Sequence, residues 1–159
     1  MQDYDQNRDT DTPPIGTAPI PKKQYTTFVA EREIATHRSV AFDALCSLID
    51  ESTGGPLVDG VPGPHCLGAK FPFVSSGMNL LEEIISFEPP WRRVYELSGA
   101  PVNLYQATTV FTDLGTSCIM AWAVLIDPLP EGASDAFIVS AKSFLSYIAD
   151  ELKLRAEAI

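Results

Sequence analysis

Glu83, Arg93, Tyr95 and His37 are the residues of this 159-residue chain whose types best suit acid–base chemistry. Such chemistry needs a titratable group moved toward neutral pH by burial, beside a partner that exchanges the proton. Glu82 and Glu83 are neighbours, so in a strand they face opposite ways and one of them is a solvated edge carboxylate. His37 falls where an extended segment gives way to a helical one, and a surface or capping role suits it better than a catalytic one. These four are candidates, and none is assigned a catalytic role. No GxSxG, P-loop, HExxH or glycine-rich dinucleotide fingerprint occurs, and no cofactor is expected.

Cys46, Cys66 and Cys118 are odd in number and lack CxxC spacing, so neither a disulfide framework nor a zinc knuckle is suggested. They read as reduced thiols, with Cys118, in an apolar strand, a small buried hydrophobe. His65-Cys66 and His37 have no carboxylate that completes a ligand spacing, and no metal is expected.

The net charge of −10 sets a negative field that repels phosphate backbones. Lys22-Lys23 and Arg92-Arg93 are only pairs, so no nucleic-acid partner is expected. There is no run of about 18 apolar residues, and the start, Met-Gln-Asp-Tyr-Asp, has neither a basic nor an apolar leader region. No stable membrane insertion and a cytoplasmic location follow as expectations.

The elements that must position these residues begin after a division near residue 23. Residues 1–23 are rich in Asp and Pro with almost no aliphatic periodicity, and are expected to form a mobile tail; the functional alternative is a partner-binding arm through Pro13-Pro14 or Pro19-Ile20-Pro21. Residues 24–159 form one domain, and 45% apolar residues suffice for a core. Residues 24–35 alternate as a strand. Ser39 reads as the N-cap of a helix that ends before Gly54-Gly55-Pro56. Residues 54–68, dense in Gly and Pro, read as a long loop of the kind that forms lids or mouths.

Strand patterns follow at 69–74, 79–87, 91–97, 102–112 and 116–126, with breaks at Ser75-Ser76-Gly77, Glu88-Pro89-Pro90 and Asp113-Leu114-Gly115. None of the gaps holds a crossover helix, so the sheet is antiparallel. Residues 134–158 then place Phe137, Ala141, Phe144, Leu145, Ile148 and Leu152 on one stripe of a helix roughly 36 Å long. The fold class is α+β, a curved antiparallel sheet wrapped around a long C-terminal helix.

This order resembles the helix-grip fold of the START/Bet v 1-like (SRPBCC) superfamily, in particular its bacterial polyketide cyclase/dehydrase and lipid-transport branch. The stretch from Glu82-Glu83 through Glu88-Pro89-Pro90-Trp91-Arg92-Arg93 to Tyr95 is similar to that branch's acidic strand, Pro-Pro turn, Arg and Tyr. Leu114-Gly115-Thr116 followed by Met120-Ala121-Trp122 is similar to its Gly-Thr turn and downstream Trp. The chain departs from the pattern at 54–68, where a Gly/Pro-rich stretch replaces the usual aromatic after the first helices.

The resemblance implies an apolar cavity between sheet and helix, lined by Ile85, Phe87, Tyr95, Tyr105, Phe111, Met120, Trp122, Phe144 and Ile148. It also implies a function: binding of a hydrophobic small molecule, lipid or polyketide-like, as carrier or sensor. The alternative is a polyketide cyclase- or dehydratase-like enzyme, and the third reading is an interaction subunit with a filled core. A carrier predicts a pocket with no ionisable group deep inside, an enzyme a buried carboxylate, His or Tyr pair, and a filled core no pocket.

From 118 to 126, Cys118, Met120, Trp122, Val124 and Ile126 form one face, and Ile119, Ala121, Ala123 and Leu125 the other. Both are apolar, whereas an antiparallel sheet covered on one side shows polar residues on its outer face. Two expectations stand side by side: a homodimer through the outer sheet face, or a sheet curled enough for neighbouring Lys, Arg or Glu stems to shield these small side chains.

Overall fold

The computed structural model describes residue 16 and residues 22–159, so the expected tail lies almost wholly outside the described residues. Lys23, assigned to that tail, is ion-paired to the buried Asp127 at 2.5 Å, which ties it to the end of the sheet.

The elements are β1 (Thr26–Ile34), α1 (Arg38–Thr53), β2 (Lys70–Ser75), β3 (Met78–Glu88), β4 (Arg92–Ser98), β5 (Val102–Asp113), β6 (Cys118–Pro128) and α2 (Asp135–Glu157). The strands form one antiparallel sheet in the order β1-β6-β5-β4-β3-β2. Each short connection sets its own register. Between β2 and β3, Ser76 and Gly77 both have positive φ, 51° and 75°, as the two-residue turn that matches strand twist requires. Between β5 and β6, Asp113 Oδ1 accepts the Gly115 N–H at 2.8 Å.

The sheet curls around α2, whose buried residues are Phe137, Ile138, Leu145, Ile148, Ala149, Leu152 and Ala156. This is the helix-grip architecture. Ion pairs hold the last turns of α2 in register. Arg32 Nε donates to Asp150 at 2.6 Å, Arg155 pairs with Glu51 of α1, and Glu157 accepts the backbone N–H of Ala35 at 2.8 Å. The hydrogen bond from Arg32 holds the Asp150 carboxyl below the usual carboxylate range, and that from Lys153 Nζ, at 2.6 Å, with the Ala35 N–H second, does the same for Glu157.

Two local expectations are corrected. Helix α1 starts before Ser39: the His37 carbonyl accepts the Ala41 N–H at 3.1 Å, so Ser39 already lies in the first turn and His37 occupies the cap position without a side-chain cap bond. The loop over 54–68 is also no lid. It folds on itself through Val61 N–H to Leu67 O (3.0 Å) and docks on the sheet through Gly68 N–H to Ile84 O (2.8 Å). A side chain at Gly60 would meet the Cys66 carbonyl at 2.2 Å, so the glycine serves close backbone packing rather than openness.

Outward-facing Ile119, Ala121, Ala123 and Leu125 are half-buried, paired across β5 with Thr112, Val110, Thr108 and Gln106. Cys46, Cys66 and Cys118 are free thiols, and Cys118 sits in the core. No helix among the described residues is long and apolar enough to cross a membrane.

Candidate functional site

A cavity of about 340 Å³ lies between the concave sheet face, the C-terminal half of α1 and the middle of α2. Its size falls within the range of small-molecule sites. Three neighbouring strands supply an aromatic wall. Tyr95 and Tyr105 stack with ring centroids 6.3 Å apart, Trp122 meets Tyr95 edge-on at 6.4 Å, and Phe137 of α2 meets Tyr105 at 6.0 Å. On β5 the residue aligned with Tyr95 is Ala107, and its small side chain leaves room for rings from the flanking strands to approach each other. Leu45, Leu48 and Ile49 of α1 and Leu145 and Ile148 of α2 close the apolar sides.

One ion pair interrupts this wall. Glu82 of β3 is only 8% exposed and borders the cavity; Arg93 of β4, fully buried, donates from Nη2 to Glu82 Oε1. The guanidinium lies over Tyr95 at 5.0 Å and Phe71 at 5.8 Å from the ring centroids, so aromatic faces cover the charge behind the carboxylate. Arg93 Nε and Nη1 and Trp122 Nε1 are buried without a hydrogen-bond partner among the described residues. Burial raises the phenol pKa of Tyr95 well above its ordinary value, reinforced by Tyr105 and by the charge of Glu82. Burial likewise pushes Tyr105 up to about 12, with Glu82 again adding to the rise. Near neutral pH the two phenols beside Glu82 therefore keep their protons.

Of the nine residues expected to line a cavity, the structure brings Tyr95, Tyr105, Trp122, Phe144 and Ile148 to this one, with Phe144 at the rim and 48% exposed. The other four are placed elsewhere. Ile85 keeps the outward parity of Glu83, opposite Ile84, and is exposed; the β-bulge between Ile84 and Ser86 shifts the alternation only beyond it. Phe87 and Phe111 instead pack against Phe42 of α1, at 5.4 and 5.7 Å, and fill the opposite end of the interior. Met120, fully buried, belongs to the filled core.

Among the acid–base candidates, Glu83 is corrected to Glu82. Glu83 faces outward, 3.7 Å from Lys70, because the inward parity of β3 runs Leu80, Glu82, Ile84. His37 is exposed at the start of α1, away from the cavity, whereas Tyr95 lines it and Arg93 supports it through Glu82. Sequence reasoning missed Glu82, the β2–β3 contributions of Phe73, Met78 and Leu80, and the whole α1 wall. The inward parity of Leu80 and Ile84 was the signal that could have found Glu82. His65, for which no ligand role is expected, has Nε2 2.9 Å from Asp50 Oδ1 and its ring 4.9 Å from Phe71, which anchors the 54–68 loop to α1. No group of three potential metal ligands converges among the described residues.

No protein-family model matches this chain, and no curated protein matches it in sequence. Solved structures do match in fold. Norcoclaurine synthase from Thalictrum flavum, in complex with dopamine and hydroxybenzaldehyde, shares 16% identity over 82% of this chain and 85% of that one, with a TM-score of 0.61. The di-domain ARO/CYC StfQ from the steffimycin biosynthetic pathway shares 14% identity over 86% of this chain, with a TM-score of 0.60; the match covers 52% of that longer chain. Ara h 8.0201 shares 15% identity over 81% of this chain and 98% of that one, with a TM-score of 0.54. All are folds of the START/Bet v 1-like superfamily, and at these identities the likeness is one of fold.

Proposed function

We propose that this chain binds a hydrophobic small molecule, lipid or polyketide-like, in the cavity between sheet and α2, as a carrier or sensor. The observation that carries the reading is the aromatic-walled cavity of about 340 Å³, in a position where a filled core would leave no space. The fold neighbours support it: one was solved with dopamine and hydroxybenzaldehyde, and another is a di-domain ARO/CYC protein from the steffimycin biosynthetic pathway.

The test uses a Trp91→Phe background, so that Trp122 is the reporting tryptophan. A neutral apolar probe, N-phenyl-1-naphthylamine, is expected to quench it saturably at one equivalent. Ala141→Trp, which places a large ring at the cavity wall, is expected to weaken that binding at least about tenfold, read from the probe's own emission because the variant adds a second tryptophan. Absence of saturable binding by every amphiphile tried would leave the interaction-subunit reading in its place.

A second reading, an enzyme of the cyclase or dehydratase kind, is favoured by one observation that departs from the pocket free of ionisable groups expected of a carrier: a buried acidic side chain, Glu82, borders the cavity beside two protonated tyrosines. It requires turnover that is lost in Glu82→Gln while probe binding persists.

A further inference from the structure

The polar half of the cavity is asymmetric in a way that selects ligands. Glu82 is a carboxylate, which accepts hydrogen bonds and donates none. Its Oε1 is taken by Arg93, and Oε2 has no hydrogen-bond partner among the described residues. Arg93 itself is fully buried and does not border the cavity, so a ligand meets the carboxylate and not the cation. At the mouth, Arg155 is tied to Glu51 and lies near Glu151, so the charged side chains around the cavity do not offer an open cationic site.

Resting on the reading of the cavity as a ligand site, we infer that Glu82 selects hydrophobic molecules carrying a hydroxyl or other hydrogen-bond donor, with a phenol or alcohol group seated between Glu82 and the Tyr95–Tyr105 pair, and rejects free carboxylic acids. A hydroxyl suits this place twice over: it donates to Glu82 Oε2 and can accept from a neighbouring phenol. A molecule of the same shape without the donor leaves Oε2 desolvated and unpaired, which is costly in a closed apolar site. A ligand carboxylate brings like charge against Glu82 within a chain of net charge −10.

The test compares three probes of nearly equal size on the unmodified chain by isothermal titration calorimetry near neutral pH: 2-naphthol, 2-methoxynaphthalene and 2-naphthoate. The expected order is naphthol tightest, with the methoxy compound weaker by at least about tenfold and the carboxylate weakest. Equal affinity for naphthol and its methyl ether, or a preference for naphthoate, overturns the inference while leaving the cavity as a binding site. Binding by none of the three overturns both. A paired variant, Glu82→Leu with Arg93→Met, removes both charges together, because removing either alone strands the other in the interior. In that variant the naphthol preference is expected to vanish while methoxynaphthalene still binds; a preference that survives assigns it to other groups and overturns the inference.

Discussion

At the residue scale, the chemistry of the cavity depends on groups whose charge burial controls. Tyr105 has a folded-state pKa raised from 10.0 to about 12, so the folded protein holds its proton more tightly than the unfolded chain. Stability from this group is therefore fully present below about pH 10 and is lost as pH rises through about 12, a change on the order of 2 to 3 kcal/mol. Urea unfolding followed over that window should show the decline. Tyr105→Phe should make it shallower without abolishing it, because the Tyr95 phenol is raised in the same direction. An unaltered slope in the Phe variant would mean that the Tyr105 hydroxyl is solvated. The same neighbourhood shows what sequence can tell at this scale. Tyr95, Tyr105 and Trp122 were legible as inward-facing because strand parity is written in the chain, but the cavity itself came from the resemblance, since Phe111 and Met120 share that parity and fill the core. The choice between Glu82 and Glu83 was not legible, because an adjacent pair carries no parity of its own and must borrow it from Leu80 and Ile84.

At the element scale, helix α2 shows how far periodicity reaches. Its predicted stripe and its buried face coincide at Phe137, Leu145, Ile148 and Leu152, while Phe144, on the edge of the stripe, emerges at the cavity rim. A hydrophobic stripe marks the direction of the core but not its width. The test is a pair of truncations two residues apart. Leu152→Ala, at a fully buried site outside the cavity, should cost about 2 to 5 kcal/mol, whereas Leu154→Ala, at an exposed site, should stay within about 0.5 kcal/mol, both measured by urea unfolding. Similar costs at the two positions would contradict the helix register. Strands were the most legible elements, since each is bounded by turn chemistry that the residues spell out. The bulge at Ile84 to Ser86 was hidden, because no glycine or proline marks it, and it brings Phe87 onto the inner face while Ile85 keeps the outward parity of Glu83. The 54–68 loop misled for the opposite reason: its glycines and prolines suggested an open lid, yet Gly60 is there to admit the Cys66 backbone.

At the scale of the whole molecule, the cavity wall is assembled from α1, five strands and α2, and no single element could keep it intact alone. A ligand held there binds the folded chain and not the unfolded one, so occupancy is linked to global unfolding. At a free ligand concentration about 100 times Kd the gain is about 2.7 kcal/mol, which for a domain of this length raises Tm by about 5 to 10 °C. The competing possibility is adsorption to the exposed apolar side chains at the rim, Val74, Phe144 and Tyr147. Adsorption has the opposite sign, because unfolding exposes more apolar surface than those three residues offer and the probe would then favour the unfolded chain. Thermal unfolding with N-phenyl-1-naphthylamine separates the two: a rise in Tm in the unmodified chain that disappears in Ala141→Trp places the ligand inside, a fall in both places it on exposed apolar surface, and a rise that persists undiminished in the variant contradicts binding in this cavity.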